Sequence, residues 1–339
     1  MNAFVSMEAP PPSESKESEK PPSSPVFLPY AGYFEREQFS PVLVSLAALF
    51  VLLFLYQIGG AIFTIALAGV ESLTAPTGHE GAMRAAQVLS QIVFLAIPTL
   101  ILVSLHTGRK PFSAISMEFL AWRATPSIHT LLYSSLAIMA MSPFLSYVGD
   151  LQLVIMNDVL GWGDAIRPLY AQYKALLERL TLVRTPLEFI AVVGVVVLTP
   201  AICEELLFRG YVQRNFQRAM PSRRAVVVVG VLFGLYHLNP AQVIPLILLG
   251  VYLSYLRASS GSLLVPIVAH FANNFFSVLG LIAIRHKEQL GISDELAKRL
   301  QSDEPDIASP EAIGAMLISL LVTAGLLWLY RRSVAASSP

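Results

Sequence analysis

Residues 186–210 read PLEFIAVVGVVVLTPAICEELLFRG. Through Cys203 this stretch has the length and apolar character of a membrane helix, which needs about 20 such residues to cross the hydrocarbon. It then places Glu204 and Glu205 side by side. An ionisable side chain deep in a bilayer costs about 3 kcal/mol or more. Two adjacent acids in such a place need partners, water or a chemical task.

The rest of the chain is of the same kind. Of its 339 residues, 55% are hydrophobic and only 14% charged, with mean hydropathy +0.62. Soluble domains carry about 25% charged residues, so the composition indicates an all-α, polytopic integral membrane bundle. Lys+Arg and Asp+Glu number 23 each, and this balance points to neither a nucleic acid nor an acidic partner. A single cysteine, Cys203, excludes an intramolecular disulfide and a cysteine-based zinc cluster. Flanked by apolar residues, it reads as small core packing.

Apolar windows fall at 41–69, 86–106, 129–149, 187–208, 225–238, 241–257, 263–284 and 311–330. They predict about eight transmembrane helices, the fifth and sixth short and meeting at Asn239-Pro240. Residues 1–26 are rich in Pro, Ser, Glu and Lys and predict a disordered tail, continuing as a cytoplasmic segment to 38. No basic segment and short apolar core with a cleavage site opens the chain, so the first span is expected to act as the insertion signal. Residues 39–150 would supply accessory helices, 151–185 an amphipathic inter-span loop at the interface, and 186–285 a functional core. Residues 286–339 would form a polar loop, a final span and a short tail. With the N-terminus inside, fourteen of the 23 Lys and Arg fall on the cytoplasmic side. That bias puts both termini in the cytoplasm, in the plasma (inner) membrane.

Three spans carry polar residues at helical spacing. Glu205 and Arg209 are four apart and can pair on one face. Glu204 is turned about 100° away, toward a different neighbour. Phe233 and His237 are four apart, as are His270 and Asn274. A rise of 1.5 Å per residue puts Glu204 about 15 Å from Arg214, His237 about 20 Å from Arg224 and His270 about 14 Å from Gly261. The three can therefore meet at similar depth.

Water activation is the chemistry such a cluster offers. A carboxylate in a low-dielectric pocket becomes a better general base at neutral pH, and a histidine can orient the same water. A second histidine with an amide side chain could stabilise the oxyanion of a tetrahedral intermediate. Alternatively, Glu204, His237 and His270 are three acceptable zinc ligands with an open fourth position. Either arrangement suits amide hydrolysis.

Glu204-Glu205-Leu-Leu-Phe-Arg209, Phe233-Gly-Leu-Tyr-His237 and His270-Phe-Ala-Asn-Asn274 resemble the EExxxR, FxxxH and HxxxN motifs of the CAAX protease and bacteriocin-processing (CPBP, or Abi) family. That family includes the CAAX prenyl endopeptidase. The resemblance spans about residues 185–285. It implies an intramembrane endopeptidase acting on a peptide or protein, either in CAAX-type C-terminal processing of a lipid-modified chain or in peptide or bacteriocin maturation. By this resemblance Glu204 activates water with His237 as its partner, and His270 and Asn274 stabilise the oxyanion. Glu205, Arg209 and Phe233 support them. The family has been described both as metalloproteases and as metal-independent glutamate proteases. A zinc-dependent form would hold its metal with Glu204, His237 and His270.

Other readings compete. The acids could form a structural lock with Arg209, His237 could cap a helix end, and His270 with Asn274 could be interhelical glue. The whole polar core could then serve a non-catalytic scaffold, transporter or immunity protein. Gly161-Trp-Gly-Asp164 matches the GxGD pattern of aspartyl intramembrane proteases, but it lies between spans and lacks a second intramembrane Asp. Ser259-Ser260-Gly261-Ser262 reads as a turn. The cluster Arg214, Arg218, Arg223 and Arg224 reads as a positive-inside anchor that could also attract anionic lipid.

Overall fold

The structure, a computed structural model, describes residues 30–73, 78–122, 124–293 and 307–337. These residues are helical, without strands. After the short helix α1 (Tyr33–Arg36) come α2 (Pro41–Ala68), α3 (Glu80–Thr107), the short α4 (Ala114–Phe119) and α5 (Ile128–Val159). Then follow α6 (Gly163–Leu180), α7 (Pro186–Ala219), α8 (Ser222–Tyr236), α9 (Pro240–Ser260), α10 (Leu264–Arg285) and α11 (Pro310–Ala336).

Seven of these, α2, α3, α5, α7, α9, α10 and α11, are long and apolar enough to cross a membrane. The eighth expected span, α8, has 15 residues and measures about 22 Å, short of a hydrocarbon core about 30 Å thick. It is a partial helix bound tightly to α9. Phe50, Phe54, Val227 and Leu321 are all exposed, as residues facing lipid should be.

Prolines shape the long helices. Proline cannot donate to the carbonyl one turn back, and its ring crowds that carbonyl. In α3 a π segment, Ile92–Ala96, ends just before Pro98, and in α7 another, Val193–Leu198, ends just before Pro200. Thr199 repairs the second site, its hydroxyl donating to the Gly194 carbonyl at 2.7 Å. Pro143 interrupts α5, and Ser319 of α11 answers it by donating to the Ala140 carbonyl (2.6 Å) and accepting from the Phe144 amide (3.2 Å). Such repairs are what permit proline within a bilayer.

Glycine sets the closest helix crossing. A Cβ added at Gly230 would lie 2.5 Å from the Val251 amide nitrogen, and one at Gly234 would lie 2.7 Å from that of Ile247. One at Gly250 would lie 2.6 Å from the Gly230 carbonyl oxygen. The Gly-xxx-Gly face of α8 thus lets α9 approach backbone to backbone. The corner between them turns at Leu238, whose φ of +49° is unusual for a bulky residue. Gln152 of α5 clamps that corner, donating to the Pro240 carbonyl (2.5 Å) and accepting from the Ile244 amide (2.8 Å).

Two expectations are corrected at the ends of the expected segments. Residues 30–38, assigned to the tail, include α1 and pack on the bundle. Glu35 accepts from His106 (2.9 Å) and Arg218 (2.8 Å), and Tyr30 is buried. Burial pushes the Glu35 carboxyl up, but hydrogen bonds from Arg218 and His106 outweigh it and hold the group below its ordinary range. Residues 1–29 lie outside the described residues. The expected loop at 151–185 is mostly helix, the end of α5 followed by the amphipathic α6, of which only Gly163 and Ile166 are buried. Asp164 lies in the first turn of α6, and Gly261 forms the left-handed cap that ends α9.

Candidate active site

The acid pair lies in α7 at the start of a third π segment, Leu206–Val212, which no proline follows. Single π turns inside α-helices are frequent at functional sites. Here the segment is buried throughout.

Glu205 and Arg209 are both fully buried. Arg209 Nη1 donates to Glu205 Oε1 at 2.7 Å, and its Nη2 donates to the Gly250 carbonyl at 2.9 Å. The guanidinium stands over the Phe233 ring, 4.3 Å from its centroid. The i,i+4 pairing expected from sequence is present. The Gly250 carbonyl is within reach because glycine at 230, 234 and 250 brings α9 so close.

The position of His270 corrects the sequence reading. Its depth allows it to meet Glu204, but its Nδ1 lies 2.9 Å from Glu205 Oε1. With a carboxylate as acceptor, that nitrogen carries the proton and donates. One oxygen of Glu205 therefore collects both Arg209 and His270. The packing of α10 on α7, rather than depth alone, decides which acid His270 meets.

Glu204 meets His237. His237 Nδ1 donates to the Phe233 carbonyl at 2.8 Å, and this directs the other ring nitrogen, Nε2, toward Glu204 Oε2 at 3.8 Å. That separation is too long for a hydrogen bond, yet one water about 2.8 Å from each atom would bridge them. Both side chains are partly open, Glu204 at 20% and His237 at 29%. Glu204 Oε2 is buried without a hydrogen-bond partner.

Phe233 is fully buried and packs edge-on to His237 (4.6 Å) and His270 (6.1 Å). It thus stands between the two polar groups. Asn274 is half-buried, and its Oδ1 accepts from Asn273 Nδ2 at 3.2 Å. Neither Asn274 nor His270 bonds to the Glu204–His237 pair. Cys203 is buried, as expected.

Zinc ligation by Glu204, His237 and His270 does not fit this arrangement. Among the described residues no group of three or more His, Cys, Asp or Glu is placed to hold a metal ion.

Two phenols near Glu204, Tyr56 and Tyr236, escaped sequence reading, as did Gln91 beside Tyr56. Glu204 acts electrostatically on both phenols. Tyr56 accepts from Gln87 at 2.7 Å, while Tyr236 OH and Gln91 Oε1 are buried without partners. The signal available for Tyr236 was its place next to His237. Tyr56 and Gln91 sit on α2 and α3, where no local pattern ties them to the motifs.

Residues 186–276, about a quarter of the chain, match the family model described as Type II CAAX prenyl endopeptidase Rce1-like. The match contains Glu204, Glu205, Arg209, Phe233, His237, His270 and Asn274. It agrees with the family suggested by the three motifs and supports CAAX-type intramembrane protease activity in general. With seven membrane-length apolar helices among its described residues, the chain is an integral membrane protein. No curated protein and no solved structure matches it.

Proposed function

From a core that matches the Rce1-like family over residues 186–276, we propose that this chain is an intramembrane endopeptidase whose nucleophile is a water activated by Glu204. The observation that carries this reading is the geometry of Glu204 and His237. Because Nδ1 of His237 is committed to the Phe233 carbonyl, Nε2 of the neutral ring holds a lone pair and faces the carboxylate. A water between them donates one proton to Glu204 and the other to His237 Nε2. Its own lone pair is then free to attack a carbonyl carbon. As the C–O bond forms, Glu204 takes the proton, and the carbonyl π electrons move to oxygen. Collapse of that oxyanion breaks the C–N bond, and Glu204 returns the proton to the leaving amine.

Glu205 has another part in this reading. With Arg209 and His270 on one of its oxygens, it holds α7, α9 and α10 in register. The substrate is a peptide or protein presented at the membrane, in CAAX-type C-terminal processing of a lipid-modified chain or in peptide maturation. We place the protein in the plasma membrane with both termini cytoplasmic, residues 186–285 forming the catalytic unit.

The test is Glu204→Gln, compared with wild type at equal expression in a cleavage assay. Loss of a positioned general base lowers the rate by about 10²- to 10⁴-fold. Full activity in the variant would refute the mechanism and favour a binding role for the same polar core.

A further inference from the structure

The mechanism above leaves one hydroxyl near Glu204 without a task. The Tyr236 hydroxyl is buried and has no hydrogen-bond partner. Its ring stands edge-on to Phe208 with centroids 5.2 Å apart. Phe208 is four residues beyond Glu204 on α7, so the two are neighbours along that helix. The phenol lies in the field of the Glu204 carboxylate.

A buried polar atom without a partner costs about 1–3 kcal/mol. Folded proteins contain few, and a catalytic role is one reason to keep one. Meanwhile His270 Nδ1, one donor that the family resemblance assigns to the oxyanion, is taken by Glu205. Tyr236 is the last residue of α8 and His237 caps that helix, so the two come from one turn.

We propose that Tyr236 is a further catalytic residue, whose hydroxyl donates a hydrogen bond to the scissile carbonyl oxygen as it becomes an oxyanion. The proposal rests on the peptidase reading above. In the attack step the tyrosine keeps its proton. It stabilises the negative charge while Glu204 takes the proton of water, and releases the oxygen when the C=O bond reforms and the C–N bond breaks.

The experiment uses the full-length protein in proteoliposomes with two fluorogenic peptides, one ending in a farnesylated CAAX box and one unmodified and apolar. Tyr236→Phe and Glu204→Gln are measured beside wild type, with thermal midpoints for each. Tyr236→Phe leaves the ring on Phe208 and removes only an unsatisfied hydroxyl. Its midpoint should therefore hold or rise, while kcat falls about 10²-fold and KM stays within about threefold of wild type. Unchanged kcat in Tyr236→Phe, beside a dead Glu204→Gln, would overturn the proposal and leave the peptidase reading standing. A raised KM with normal kcat, or a midpoint that falls along with activity, would also overturn it, since the hydroxyl would then serve binding or structure. Wild-type activity in Glu204→Gln, or no cleavage of either peptide by wild type, would remove the peptidase reading and this proposal together.

Discussion

Replacing Arg209 with methionine tests whether Glu205 is a structural acid. The change keeps an unbranched side chain but removes the cation 2.7 Å from Glu205 Oε1, the donor to the Gly250 carbonyl and the cation over Phe233. Coulomb's law with an effective dielectric of about 20 puts the attraction at 2.7 Å on the order of 6 kcal/mol. Desolvation of both groups offsets much of that in the intact pair. In the variant the acid's desolvation stands uncompensated, and the expected loss is about 3–5 kcal/mol. His270 can recover part of it, since it donates to the same oxygen. Removing both charges, as Glu205→Leu with Arg209→Met, should recover most of the loss, because a well-packed apolar pair often replaces a buried ion pair at little cost. The assay is unfolding in detergent micelles, followed by helical circular dichroism, for wild type, both single variants and the double variant. A coupling energy near zero, or a single Arg209→Met loss below about 1 kcal/mol, would refute the assignment.

The remaining variants probe other elements. Gly230→Val should force α8 from α9, because its Cβ would lie 2.5 Å from the Val251 amide nitrogen. A loss of about 1–3 kcal/mol, with lowered activity through displaced His237, is expected in the same unfolding and cleavage assays. His237→Gln should lower kcat by about 10²-fold or more while leaving the thermal midpoint close to wild type. For Glu35 the folded pKa lies below the unfolded value of 4.5. Its stabilisation is therefore present above that value and is lost as pH falls through the folded one. Glu35→Gln should flatten this acid limb, read as thermal midpoint against pH. Glu204→Gln and Glu205→Gln should separate the two acids, the first losing turnover with the fold intact and the second losing stability.

Much of this structure is legible in the sequence because a bilayer enforces simple rules. Apolar windows gave the spans, and i,i+4 spacing gave the Glu205–Arg209 pair, since both depend only on local periodicity. What local periodicity omits is where the sequence misleads. Constant 100° steps ignore the π segments, one of which begins immediately after Glu205. Each π turn rotates later side chains relative to the regular helix. The partner of His270 depended on how α10 packs on α7, which no single helix encodes. The apolar window at 225–238 looked like a span, but the helix ends at Tyr236, before the corner at Leu238, and glycines at 230 and 234 fasten it to α9. Tyr30 and Glu35 looked like tail because their partners, Arg214, His106 and Arg218, lie 71 to 184 positions away.

The two acids show how a fold can keep an unsatisfied group where it is useful. Were Glu204 free to rearrange, its carboxylate would turn toward Arg209, the nearest cation on its own helix. Three contacts prevent this: Arg209 is already bound to Glu205, to the Gly250 carbonyl and against Phe233. The glycine crossing brings that carbonyl close, and Gln152 fixes the corner that holds His237 opposite Glu204. Holding Arg209 on Glu205 Oε1 therefore keeps that cation away from Glu204, whose Oε2 has no hydrogen-bond partner. On this account the first motif needs both acids, since Glu205 holds Arg209 away from the carboxylate proposed as the base.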